Sequence, residues 1–175
     1  MKISQSQTLG APRPRTSESM ILFRVSAMSF AIAAHAVEEI RELSGLQAFD
    51  FSASHQKLAK VKYVFERQGR AYFVVDACAQ FHLSDAKPTR LMVLRHASAA
   101  VAVDAIDRMQ DIFSIHELPE AFCGEERAWY RGLTVIKGRV VPVVRPEAFL
   151  SKAESMLLAA VMRTDRRAIE PVATA

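Results

Sequence analysis

From Met20 onward, apolar and polar positions alternate in short stretches that read as strands. Val61, Tyr63 and Phe65 alternate with Lys62, Val64 and Glu66, the two-residue period of a half-buried strand. Phe30, Ile32 and Ala34 alternate with smaller residues, and Ile21–Val25 is an apolar run broken by Arg24. Tyr72–Val75, Leu91–Leu94, Val101–Val103, Leu133–Ile136 and Val140–Val144 add further runs of β-formers. Many short strands at regular spacing predict a barrel or sandwich rather than βαβ units. A helical period shows in two places. Ala77–Leu83 fits about two turns. Between Glu147 and Met162, the residues Phe149, Leu150, Ala153, Leu157 and Val161 recur at three- and four-residue steps and form one apolar stripe. Pro146 suits the first turn, where a missing N–H is not needed. Residues 1–19 show no period and read as a tail. Leu43–Ala59 reads as a loop whose Phe49 and Phe51 pack onto the core, and the chain frays through Arg166, Arg167 and Pro171.

One segment repeats. Gly69-Arg70-Ala71-Tyr72-Phe73-Val74-Val75 echoes Gly138-Arg139-Val140-Val141-Pro142-Val143-Val144, and each copy follows an apolar stretch. Each reads as strand, tight turn, strand, with Gly69 and Gly138 supplying the positive φ of the turn. The separation is too long for a solenoid. It predicts two related lobes, each built around one hairpin.

Composition narrows the class. The chain has 175 residues, 50% hydrophobic and 24% charged, which is a globular balance. A chain of this length buries about 70% of its unfolded surface without staples. Its two cysteines, Cys78 and Cys123, form no disulfide framework and no CxxC, so a reducing cytoplasm is the expected compartment. The net charge is +4, but Lys and Arg are scattered rather than clustered with aromatics. Met20–Val37 is largely apolar, yet Glu18 and Arg24 argue against a signal sequence, and Arg24 and His35 against a membrane span. A buried hairpin accounts for it.

Catalytic constellations are missing. His35, His55, His82, His96 and His116 share no metal-ligand spacing with each other or with the cysteines. There is no phosphate loop, no GxSxG and no Cys next to a His. No catalytic residue, metal or cofactor is expected. Asp104, Asp107 and Asp111 would share a face on a helix, but the segment reads better as leaving a strand at Asp104 and exposing charge. Val37-Glu38-Glu39-Ile40-Arg41-Glu42 sets two apolar residues among dense charge. It fits apolar anchors in a polar rim, and equally an amphipathic turn whose Val37 and Ile40 are core.

In this order, the pieces resemble the CheW-like domain of bacterial chemosensory systems over most of residues 20–150. Ile21-Leu22-Phe23-Arg24-Val25 with Phe30-Ala31-Ile32 looks like that family's first hairpin. Val37-Glu38-Glu39-Ile40-Arg41 looks like its V-x-E-I-R segment. Val64-Phe65-Glu66-Arg67-Gln68-Gly69-Arg70 with Val74-Val75-Asp76 resembles its V-x-N-L-R-G-x-x-x-P-V-V-D signature. Val101-Ala102-Val103-Asp104 stands in the place of its G-x-x-V-D strand, and Tyr130-Arg131-Gly132-Leu133 with Gly138-Arg139 resembles its last hairpin.

The resemblance implies an all-β fold of two SH3-like five-stranded β-barrels sharing a core, and the apolar stripe adds a C-terminal amphipathic α-helix that continues into 151–175 and a frayed tail. It implies a non-catalytic cytoplasmic adaptor, bridging chemoreceptor tips and the regulatory domain of a CheA-type histidine kinase without membrane insertion. The partner-binding residues it implies are Val37, Glu39, Ile40, Gln68 and Gly69. The chain departs from the pattern where Glu66 replaces the Asn and Gln68 replaces an Arg implied in receptor contact. Phe73 replaces the Pro, although Pro142 keeps it in the second copy. Arg67, next in the chain, is expected on the opposite strand face. The alternative is a small barrel binding nucleic acid through its basic surface.

Overall fold

The computed structural model describes residues 17–48 and 58–169, with residues 164–169 described by backbone alone. Phe49, Phe51 and most of the tail lie outside the described residues.

The strands are β1 (Glu18–Val25), β2 (Met28–Ala33), β3 (Val37–Glu42), β4 (Gln47–Ala48), β5 (Val61–Arg67), β6 (Arg70–Asp76), β7 (Arg90–Leu94), β8 (Ala99–Val103), β9 (Ala105–Ile112), β10 (Tyr130–Ile136) and β11 (Arg139–Val144). The helices are α1 (Ala77–Gln80), α2 (Glu126–Trp129) and α3 (Lys152–Ile169). One sheet has the order β10-β11-β2-β1-β9, and the other β3-β7-β8-β6-β5-β4. The two follow one plan. Hairpin β10–β11 joins β2 in parallel, and β2 continues through β1 to β9. Hairpin β5–β6 joins β8 in parallel, and β8 continues through β7 to β3. The second sheet adds β4, a two-residue strand on β5. This is the two-barrel architecture implied by the resemblance, and the repeated hairpins occupy equivalent places in it.

Each sheet is closed by side chains and one bridge. Arg67 at the end of β5 pairs with Glu38 and Glu39 of β3, and the Arg41 guanidinium lies 5.3 Å from the Phe65 ring centroid. These contacts join strands that sit far apart in sheet order. In the other barrel, the chain beyond β9 reaches β10 through a His116–Leu133 bridge, and Thr134 donates to the Ser114 carbonyl at 2.9 Å. The approach is tight. A Cβ on Gly132 would lie 2.4 Å from the His116 carbonyl oxygen and 2.6 Å from Ile115 Cγ2.

The continuous apolar runs now have a cause. Alternate residues of β6, β7 and β8 point into two different interiors. Phe73, Val75, Met92, Leu94, Ala99, Val101 and Val103 enter the core shared by both barrels. Tyr72, Val74, Leu91, Val93, Ala100 and Ala102 fill the second barrel alone. Strands buried on both faces lose the polar alternation that marks a half-wet strand. The shared core also stacks Phe30 on Phe81 at 4.5 Å and on Phe23 at 5.5 Å, with Phe149 edge-on to Phe81. Met20–Phe23 and Phe30–Ala33 are buried in it, so this apolar stretch is hairpin rather than leader or span. Among the described residues, no helix is long and apolar enough to cross a membrane.

Several expectations are corrected. Val37–Glu42 is a strand, not a turn. The chain does leave a strand at Asp104, as expected, but Ala105–Ile112 is itself a further strand, mostly exposed. Asp104 accepts the Ser26 N–H at 2.8 Å, Asp107 pairs with Arg24 at 2.9 Å, and Asp111 accepts from Ser19. This strand was hard to see because it lies at a sheet edge and is mostly solvated, so no apolar alternation is demanded of it. In β5, a register shift between Val61 and Tyr63 breaks the alternation. Val61 and Val64 enter the shared core, while Tyr63 and Phe65 face the barrel interior. Helix α1 is one turn, capped by the Asp76 carboxylate accepting from the Cys78 and Ala79 N–H groups.

The C-terminal helix starts later and runs further than its stripe suggests. Pro146 opens a short 3-10 turn, and Ser151 and Glu154 then form a capping box. The restart changes the helical phase. Phe149 and Leu150 are buried ahead of the helix, Leu158 is fully buried on it, and Ala153 and Leu157 face solvent. The helix continues through Arg166 and Arg167 to Ile169 rather than fraying there.

Candidate partner interface

The candidate site lies where β3 meets the β5–β6 hairpin. Gln68 and Gly69 form the two-residue turn, with φ of +51° and +72°, between the paired Arg67 and Arg70. Positive φ at both central positions is the type I′ pattern, whose twist matches the flanking strands. Lys137 and Gly138 repeat it in the other barrel with φ of +49° and +76°. Gln68 is therefore a turn residue, and the strand-face argument that set Arg67 aside does not apply. Arg67 is the centre of the corner. Its Nη1 reaches Glu38 Oε1 at 2.8 Å and its Nη2 reaches Glu39 Oε2 at 3.3 Å. The hydrogen bond from Arg67 holds the Glu38 carboxyl below its ordinary range.

The five sequence-derived positions divide. Val37 is only 7% exposed and belongs to the shared core. A register shift between Val37 and Glu39 follows it. Glu39 is half-buried beside Arg67, and Ile40 is 41% exposed. Gln68 and Gly69 are exposed. The corner thus gathers Glu39, Gln68 and Gly69 around Arg67, with Ile40 next along β3 and Val37 beneath. Arg95 was not visible in the sequence as part of this corner. Its Nε donates to the His35 carbonyl at 3.0 Å and its Nη2 to the Val37 carbonyl at 3.4 Å, which ties down the start of β3. No sequence motif marks an arginine that bonds to backbone carbonyls some sixty residues away.

The corner presents Ile40, Gln68 and Gly69 to solvent. Among the described residues, no three His, Cys, Asp or Glu side chains gather as a metal site. Arg24, Lys60, Lys62, Arg67, Arg90 and Arg131 each pair with a carboxylate, which disperses the basic charge that nucleic-acid binding would need.

Comparison with known proteins agrees with the fold. A probable chemotaxis protein CheW from Rhizobium etli is 24% identical over 143 residues, covering 78% of this chain and 89% of that protein. The crystal structure of the scaffolding protein TtCheW from Thermoanaerobacter tengcongensis superposes with a TM-score of 0.65 at 14% identity, covering 81% of this chain and 99% of that one. The sequence profile of the CheW-like domain matches residues 19–154, a span that takes in both barrels and the β3–hairpin corner. The chain belongs to the CheW-like domain family.

Proposed function

We propose that this chain is a chemosensory scaffold that couples chemoreceptors to a CheA-type histidine kinase in the cytoplasm and carries out no chemistry of its own. The observation that carries the reading is the CheW-like match across both barrels. The physics of such a part is differential binding. It transmits a receptor change only if it binds two kinase states with different free energy. A shared core suits that task, because the two barrels pack through one set of aromatic side chains.

Within this reading, the exposed Ile40 is the apolar anchor, and Glu39, Gln68 and Gly69 complete a corner that faces the receptor. Glu39 tunes recognition as a rim charge, partly answered already by Arg67. Val37 supports the corner from below. The test is a titration of the purified chain against the regulatory domain of a CheA from the same cell and, separately, a chemoreceptor cytoplasmic fragment. Micromolar binding to both is expected. Binding to neither overturns the reading.

A further inference from the structure

A cleft of about 850 Å³ opens between the two barrels, beside α1 and the start of α3. That volume is in the range of small-molecule sites. The second barrel contributes Lys60, Gln80 and His82 to it, and the first contributes Glu125, Trp129 and Arg145. Gln80 is the unusual member. It is only 6% exposed, and its Oε1 is sealed from solvent with no hydrogen-bond partner. A buried acceptor left unbonded carries the full desolvation penalty of that group, so an apolar side chain would serve packing better. The other orphaned side-chain atom among the described residues, Asp104 Oδ1, belongs to a carboxylate whose Oδ2 already accepts the Ser26 N–H. The last torsion of a glutamine is soft, and a half-turn about it exchanges the acceptor and donor ends. Gln80 can therefore offer its free acceptor to a group in the cleft.

The charges of the cleft fit one kind of occupant. Lys60 is answered by Glu154 at 2.9 Å. Arg145 and Glu147 stand two positions apart on the lining, both exposed, and among the described residues neither enters an ion pair. Arg145 donates its Nε to the Tyr130 carbonyl at 3.1 Å, a neutral partner that leaves its charge in place. Glu125 is a further exposed carboxylate on the same lining. An anion alone would meet these carboxylates, and a cation alone would meet Arg145. A zwitterion answers both signs. We infer that the cleft binds a free α-amino acid with a carboxamide side chain. Its carboxylate goes to Arg145, its ammonium to Glu147, and its amide pairs with the Gln80 carboxamide. Two carboxamides each bring a donor and an acceptor, so the pairing satisfies the Gln80 oxygen that the protein leaves unbonded. The inference goes beyond the adaptor reading and does not rest on it, because none of these groups belongs to the β3–hairpin corner.

The test is a titration of the full chain with L-glutamine, read by the fluorescence of Trp129, the single tryptophan of the sequence. Trp129 lines the cleft with the His82 ring 5.4 Å away, so an occupant changes the surroundings of the indole. A saturable change with a Kd below about 1 mM is expected. Q80L should weaken binding roughly tenfold or more, while its thermal midpoint stays at or above wild type because a buried group without a partner has been removed. E147Q and R145Q, at exposed positions, should each weaken binding roughly fivefold or more. L-Norvaline keeps the zwitterion without the amide, and butyramide keeps the amide without the zwitterion. Each should bind roughly tenfold more weakly than L-glutamine, or worse. The absence of a saturable signal with L-glutamine overturns the inference. So does wild-type affinity in Q80L or E147Q, and so does equal binding of L-norvaline or butyramide. E147Q decides the matter if Q80L fails to fold. The titration contains no receptor or kinase, so its failure leaves the adaptor reading untouched.

Discussion

Val37 and Ile40 stand three residues apart in one charged strand, and the structure buries one and exposes the other. Val37 is 7% exposed in the shared core, whereas Ile40 is 41% exposed. Val37→Ala deletes two methyl groups, each contributing about 0.8 kcal/mol of burial. With the residual cavity, the loss comes to about 2 kcal/mol. Ile40→Glu removes a side chain already wet over much of its surface, so its stability cost stays below about 1 kcal/mol. Both variants can be followed by urea unfolding through the single tryptophan, Trp129, which is 9% exposed against Phe81 and Tyr130. With a slope of about 2 kcal/mol per molar urea, Val37→Ala should lower the midpoint by about 1 M. Its affinity for receptor fragment and kinase domain should match wild type while it remains folded. Ile40→Glu should keep its midpoint within about 0.5 M and lose tenfold or more in affinity, about 1.4 kcal/mol. The reasoning fails if Val37→Ala loses binding at an unchanged midpoint, or if Ile40→Glu unfolds as readily as Val37→Ala.

Gly132→Ala should destabilise the first barrel by about 1–3 kcal/mol, because its Cβ would meet the His116 carbonyl oxygen at 2.4 Å. Thermal unfolding at wild-type Tm would show that the bridge yields without strain. Lys137→Asn should stabilise by about 0.5–1 kcal/mol, since asparagine tolerates the +49° φ that lysine adopts reluctantly. A lowered denaturation midpoint would refute the turn assignment. Burial alone would raise the Glu154 pKa, but bonds from Lys60 and Ser151 outweigh it and hold the carboxyl below 4.5. Its stabilisation is therefore complete above the unfolded value and lost as pH falls through the depressed folded value. Glu154→Gln should cost about 1–2 kcal/mol at neutral pH and little in strong acid. Urea midpoints that differ from wild type equally at both pH values would sink this account.

Much of the fold was legible because strands advertise themselves through burial. The runs at Ile21–Val25, Tyr72–Val75, Leu91–Leu94 and Val140–Val144 all became strands, and the two Gly-containing echoes became equivalent hairpins. Residues that depend on distant partners were not legible. Edge strand β9 is polar and pairs only with β1 in its sheet, so nothing local marks it. Arg67 looked like a neighbour of the interesting position until the closing barrel brought Glu38 and Glu39 to it.

Local chemistry in the chain therefore determined where strands and turns lie, since side-chain period and positive-φ turn residues act over a few positions. It also determined the absence of any recognised catalytic motif. Only the tertiary structure decided which of two apolar residues in Val37–Glu42 is core and which is surface, because one register shift reassigns the faces of a strand. Only the tertiary structure set the phase of α3, because Ser151 restarts the helix after Pro146 and brings Leu158 rather than Leu157 onto the core. Burial is a property of what packs against a residue, and Val37 lies beside Leu94 of β7, distant from it in sequence.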